Sequence, residues 1–201
     1  MEEEQSKVAE QLVIACKRAY TRGIQTGSGG NVSARVPGKD LMLVKASGSS
    51  FVDCTPDGFV VTDFDGNMVA GKGKPTREAL LHGLIYKIKP DVNAVMHTHS
   101  VYCNAWASTG KPLPRTTWHS QLKMSCDLPV FDVPAPVVPK DYFPEIARAY
   151  KDHPDLTGFL LVDHGLVATG NNPIAAEHAA ELMEETAKLA ILKGLVTLFK
   201  L

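Results

Sequence analysis

Between residues 31 and 70 the chain carries four short strand-like runs in succession: Val32 to Val36, Leu41 to Val44, Gly58 to Thr62 and Asn67 to Val69. Asp57-Gly58 and Asp65-Gly66 punctuate them with hairpin-type turn signals. Helical patterns bracket this block and do not alternate with its strands. Strict strand–helix–strand alternation is therefore absent, and the pattern predicts a largely antiparallel sheet with helices packed on it.

The flanking helices can be placed from their spacing. Residues 5 to 22 put Val8, Leu12, Ala15, Cys16 and Ala19 on one stripe, and Gly23 follows as a C-cap. A second helix is expected from Pro75-Thr76-Arg77-Glu78 to about Lys89, with Pro in the first turn and an early Glu, and Pro90-Asp91 ends it. Val92 to Met96 reads as a buried strand, and Ser100 to Ala107 as a helix. Residues 108 to 140 are rich in proline and show no periodicity. A short helix is expected over Asp141 to Tyr150, and strands over Leu156 to Val162 and Leu166 to Thr169. Asn172-Pro173 opens a long last helix with Ile174, His178, Leu182, Glu185 and Leu189 along one face. With no repeat, low-complexity stretch or linker, residues 1–201 read as one domain.

Composition narrows the function. Hydrophobic residues at 44% and charged residues at 21% suit a soluble globular protein. A net charge of -1 offers no basic footprint for nucleic acid and no polybasic membrane anchor. No apolar run approaches the ~18 residues of a spanning helix. The acidic Met1-Glu2-Glu3-Glu4 start does not resemble a secretory signal. Cys16, Cys54, Cys103 and Cys126 are scattered, with no Cys-x-x-Cys pair, and read as reduced packing residues of a cytoplasmic protein.

The chemistry-bearing residues sit at strand ends. His97 and His99 are two apart after an apolar run, so their side chains share one side. His164, in Asp163-His164-Gly165, ends a second such run. Three imidazoles with an open fourth position suit a catalytic zinc. His82 and His178 fall inside helices, His153 lies in a polar loop, and His119 has no clear place. Glu78 is the candidate acid/base; its position also fits an ordinary first-turn glutamate. Three further segments offer anion-binding groups: Gly29-Gly30-Asn31-Val32-Ser33, Ala46-Ser47-Gly48-Ser49-Ser50, and Thr76-Arg77 at a helix start. Each alone reads as a turn. Together, beside a metal site, they point to an anionic substrate.

In order and spacing, Gly29-Gly30-Asn31-Val32-Ser33-Ala34-Arg35, Ala46-Ser47-Gly48, Lys74-Pro75-Thr76-Arg77-Glu78, His97-Thr98-His99-Ser100 and Asp163-His164-Gly165-Leu166 resemble the class II aldolase/adducin superfamily over nearly the whole chain. The resemblance implies an α/β/α fold with a mainly antiparallel central sheet. It also implies a homotetramer with active sites near subunit interfaces. By that resemblance His97, His99 and His164 bind zinc, with manganese, cobalt or iron as substitutes, and Glu78 is the catalytic acid/base. Gly30, Asn31, Ser47, Gly48, Thr76 and Arg77 hold the phosphate of a sugar-phosphate substrate. The implied reaction is cleavage of a phosphorylated ketose through a zinc-stabilised enediolate.

Three departures bear on the subfamily. Fuculose-phosphate aldolases carry a tyrosine after an Ala-Pro pair, where this chain has Ala135-Pro136-Val137. Arg77 replaces their second phosphate-site serine. The methylthioribulose-phosphate dehydratases carry a glutamate shortly after a histidine, where this chain has His119-Ser120-Gln121. The run Lys74 to Glu78 and the tail Glu181 to Leu189 look closer to the decarboxylases of phosphorylated 3-oxo sugar acids. The aldolase reading thus stands first and the decarboxylase second. A dehydratase, and a non-catalytic adducin-like module, stand behind both.

Overall fold

A computed structural model describes residues 3–200. One eight-stranded sheet runs through it in the order β4-β3-β2-β1-β5-β8-β7-β6. The strands are β1 (Asn31–Arg35), β2 (Leu41–Lys45), β3 (Phe59–Asp63), β4 (Met68–Ala70), β5 (Ala94–Thr98), β6 (Val130–Phe131), β7 (Gly158–Leu161) and β8 (Gly165–Gly170). Every pairing is antiparallel except β6 with β7. The sheet expected from the sequence is the one observed.

The helices are α1 (Glu3–Thr21), α2 (Ala79–Ile88), α3 (Val101–Ala107), α4 (Trp118–Lys123), α5 (Phe143–Asp152) and α6 (Pro173–Phe199). They cover both faces of the sheet. Helices α1, α3 and α6 pack on one face. Helix α2 lies on the other, where Asn31, Ser33 and Arg35, alternate residues of β1, meet Glu78, His82 and Tyr86. Helix α5 packs beside α2. The α1 stripe buries Ala9, Leu12, Ala15, Cys16 and Ala19, close to the spacing read from sequence.

Three local readings need correction. Helix α2 starts at Ala79 and not at Pro75. Pro75 instead bridges Ala46, and the Thr76 N–H donates to the Lys45 carbonyl, so residues 74–76 pair antiparallel alongside the end of β2. Glu78 consequently stands at the N-cap of α2. Asp57-Gly58 forms a single 3₁₀ turn leading into β3, whereas Asp65-Gly66 does turn the β3–β4 hairpin. On α6 the buried face is Ala176, Ala180, Met183, Ala187 and Ala190, beside the expected stripe. Small residues let the helix lie close on the sheet, while Ile174 and Leu182 flank the contact.

Residues 108–140, unassigned from sequence, hold α4, β6 and a Leu113–Leu128 bridge. The four cysteines are free thiols, and Cys16, Cys54 and Cys103 are buried. Among the described residues no helix is long and apolar enough to cross a membrane.

Helix α2 also approaches the β3–β4 turn too closely for a side chain at Gly83. A Cβ there would lie 1.9 Å from the Phe64 carbonyl oxygen. Gly83→Ala should destabilise the protein by roughly 1–3 kcal/mol, the usual range for an overpacked contact. Urea unfolding measures it, and unchanged stability would contradict this close approach.

Candidate active site

Three strands and one turn bring the histidines together. His97 lies in β5, paired with Asn31 of β1 on one side and Val167 of β8 on the other. His99 follows one residue past the end of β5. His164 sits in the three-residue turn between β7 and β8, whose ladder closes at Leu161 and Gly165. That turn needs Asp163 in the left-handed region, at φ 53°, and Gly165 at φ 146°. A Cβ on Gly165 would lie 2.1 Å from the Thr98 carbonyl oxygen. Glycine is thus required for β8 to start directly against the His97–His99 segment.

The three rings converge, with centroids 4.6 to 5.2 Å apart. One nitrogen from each lies within 4.8 Å of the others. The Nδ1 of His97 is 2.8 Å from the Leu166 carbonyl oxygen, which can only accept. The proton is thereby fixed on Nδ1, and the Nε2 lone pair faces the cluster. This backbone contact is the kind that orients metal-ligating histidines. His97 Nε2, His164 Nδ1 and Glu78 Oε1 are buried without a hydrogen-bond partner. His97 Nε2 lies 3.3 Å from Glu78 Oε2, and His164 Nε2 lies 3.9 Å from Glu78 Oε1. Lone pairs facing a carboxylate at that range call for a cation or a proton between them. The donor set fits a divalent transition-metal ion with an open coordination position.

Glu78 is 4% exposed, so its charge must be compensated locally. Its Oε2 accepts a 2.9 Å bond from the Asn31 side-chain amide. Burial pushes its carboxyl up, but His97, the Asn31 bond, His164 and His82 outweigh that and hold it below the ordinary value. Glu78 is therefore an ionised carboxylate at neutral pH.

The other wall is built from backbone. The Ser47 N–H donates to the Lys74 carbonyl, and the Thr76 N–H to that of Lys45. These bonds lay Ser47-Gly48 against Thr76-Arg77. Together with Gly30, Asn31, Glu78, His99 and His164 they line a cavity of about 350 Å³. Of the ten predicted site residues, nine line this cavity. The tenth, His97, is fully buried within the histidine cluster. Val137 also lines it, whereas Gln121 lies on the exposed side of α4 and bonds the Arg115 carbonyl. A larger groove, about 1220 Å³, runs along α6 and α4 and contains none of the ten.

Two site residues have no signal in the sequence. Lys45, 2% exposed, lines the cavity and donates to the Ala46 and Ser49 carbonyls. Burial pushes its pKa down. A lysine ending an apolar strand reads as solvent-facing, and only the fold shows it inside. Gln25, 3% exposed, lies behind the glycine-rich loop and accepts from the His99 N–H. Nothing in its spacing marks it.

The family described as Class II Aldolase and Adducin N-terminal domain matches residues 10–191. An L-fuculose phosphate aldolase of Methanococcus maripaludis is 32% identical over 183 residues, 89% of this chain and 93% of the relative. A 3-oxo-tetronate 4-phosphate decarboxylase of Haemophilus influenzae is 33% identical over 186 residues, 90% of this chain and 85% of the relative. The solved structure of an L-fuculose 1-phosphate aldolase superposes with a TM-score of 0.83 at 28% identity, covering 94% of this chain and 86% of that one.

Burial lowers the pKa of His99, His164 and His82. Burial and the neighbouring imidazoles push His99 down to about 4 and lower His164 as well. His82, behind Glu78, is fully buried with Nδ1 2.7 Å from the Ser33 hydroxyl, and burial pushes it down to about 3. Its unfolded value is near 6.5. Between these values the unfolded chain binds the extra proton, so stability is full above pH 6.5 and falls as the pH drops. One such group contributes a slope of about 1.4 kcal/mol per pH unit. In chelator-treated protein, His82→Leu should flatten the pH 4–6 stability profile by that amount. Parallel profiles for the two proteins would contradict the buried neutral imidazole.

Proposed function

Because this chain belongs to the class II aldolase and adducin family, we propose that it is a zinc-dependent carbon–carbon lyase, an aldolase that cleaves a phosphorylated ketose. The observation that carries the reading is one cavity with two unlike walls. One wall holds His99, His164 and the buried Glu78 carboxylate, with His97 packed behind them, and the other holds glycine-rich backbone with Arg77 and Lys45. The relative from Methanococcus maripaludis, an L-fuculose phosphate aldolase, supports the substrate class.

His97, His99 and His164 would hold the ion, their neutral nitrogens being the form a metal requires. Zinc supplies Lewis-acid stabilisation of charge developing on substrate oxygens; manganese, cobalt or iron could serve, since three imidazoles select weakly. Gly30, Asn31, Ser47, Gly48, Thr76 and Arg77 bind and orient the phosphate, and the Lys45 charge adds to the field. Glu78 moves the proton. As a carboxylate it removes one from the carbon beside the carbonyl in the condensation direction, and it returns that proton in cleavage. Asn31, tied to Glu78, joins the two walls.

A decarboxylase of a phosphorylated 3-oxo sugar acid is the second reading. The Haemophilus influenzae relative and Arg77, whose planar fork suits a carboxylate, favour it. We place the enzyme in the cytoplasm as a homotetramer with sites near subunit interfaces. Trp118, 88% exposed, and Leu122, 79% exposed, share one side of α4 and give a partner subunit an apolar surface to cover.

Purified protein should contain about one divalent transition-metal ion per chain, and Glu78→Gln should keep the ion yet lose at least ~100-fold in turnover. Near-parental activity would remove Glu78 from the mechanism. Incubation with phosphorylated ketoses should release an aldehyde. Carbon dioxide from oxo-sugar-acid phosphates, with no aldehyde from any ketose, would select the decarboxylase.

A further inference from the structure

The two walls meet at a side chain that neither wall's chemistry uses. Strand β5 ends at Thr98, and its ladder with β1 ends at His97 opposite Asn31. The β1 side of the chain then turns away, with Gly30 at φ +63°. The His99 N–H is left without a ladder partner, and the Gln25 side-chain oxygen takes that place at 2.9 Å. The Gln25 amide nitrogen donates to the Thr26 carbonyl at 2.7 Å. Both ends of the carboxamide are thus committed, in a side chain that is 3% exposed.

The same carboxamide accounts for the paired glycines. A Cβ on Gly30 would lie 2.4 Å from Gln25 Oε1 and 2.8 Å from the His97 carbonyl oxygen. A Cβ on Gly29 would lie 2.8 Å from Gln25 Nε2 and 3.0 Å from His99 Nδ1. Gln25 therefore fills the space between the glycine loop and the His97–His99 segment and sets their separation. We propose that Gln25 is a positioning residue that locks the anion-binding loop and His99 into one unit, so that metal and anion affinity are both tuned by a side chain that touches neither ligand.

The inference rests on the metal reading above, and two variants separate it from that reading. Gln25→Met keeps length and burial and removes both polar contacts. Gln25→Glu keeps an acceptor for the His99 N–H but cannot donate to Thr26, and it places a negative charge behind the loop. Zinc affinity is read by chelator competition without substrate, anion affinity with inorganic phosphate, and folding by circular dichroism.

The Met variant should bind zinc roughly 10- to 100-fold more weakly, the usual effect of losing a partner that orients a ligand. Its His99 amide should also exchange faster with solvent. The Glu variant should keep parental zinc affinity while binding phosphate roughly fivefold to tenfold more weakly. A folded Met variant with parental zinc affinity overturns the proposal. Should the Met variant not fold, the Glu variant decides: a split between zinc and phosphate supports the proposal, and parental affinity for both overturns it. Parental protein that takes up no zinc overturns the metal reading itself, a result read on a different sample.

Discussion

In the three central strands Asn31 stands opposite His97, and His97 opposite Val167. A slip of one residue in either ladder would turn His97 to the other face of the sheet and separate it from Asn31 and Glu78. The register is held from both sides. Val32, Ala34, Met96 and Ala168 are buried without exception, while Ser33 is pinned to His82 and Tyr86 of α2. The burial of ordinary aliphatic residues therefore fixes where the polar ones meet. The β7–β8 turn then delivers His164, because Gly165 lets the chain pass against Thr98 where any side chain would collide.

That placement creates an electrostatic problem. Histidine nitrogens and a carboxylate face one another in a buried pocket with several lone pairs unpartnered. Burial lowers the pKa of His99 and His164, while Glu78, bonded by the Asn31 amide and set among the histidines, is held below its ordinary value. A divalent ion would resolve the arrangement, and nitrogen lone pairs beside a charged oxygen are what metal-assisted proton transfer would use. The anion wall meets a different constraint. Its binding groups are mostly backbone, so it depends on loop shape, and that shape rests on the 45–47 to 74–76 pairing and on Gln25.

Much of this was legible in the sequence because strand ends and turns carry local signatures. The histidine pair after an apolar run, His164 before a glycine, and the glycine-rich loop before Asn31 each report on their own few residues. The antiparallel sheet followed from the order of elements. What was hidden depends on distant pairing. Pro75 and Thr76 looked like a helix start, but the β2 strand captures them, a competition invisible to local propensity. Lys45 and Gln25 look like surface residues and are inside only because other segments close over them. The α6 stripe was misplaced because alanine, a weak hydrophobic signal, packs closest. The irregular segment 108–140 takes its shape from β7 and from the Leu113–Leu128 bridge, neither of which is a local property.

The central claim is that three imidazoles converge to bind one ion and leave a position open. X-ray absorption spectroscopy of the zinc-loaded protein tests it without any assumption about substrate. The expected first shell is nitrogen and oxygen only, near 2.0–2.1 Å, with scattering from three imidazole rings and a fourth light-atom ligand. A sulfur shell near 2.3 Å, or fewer than two imidazoles around the ion, would contradict the account.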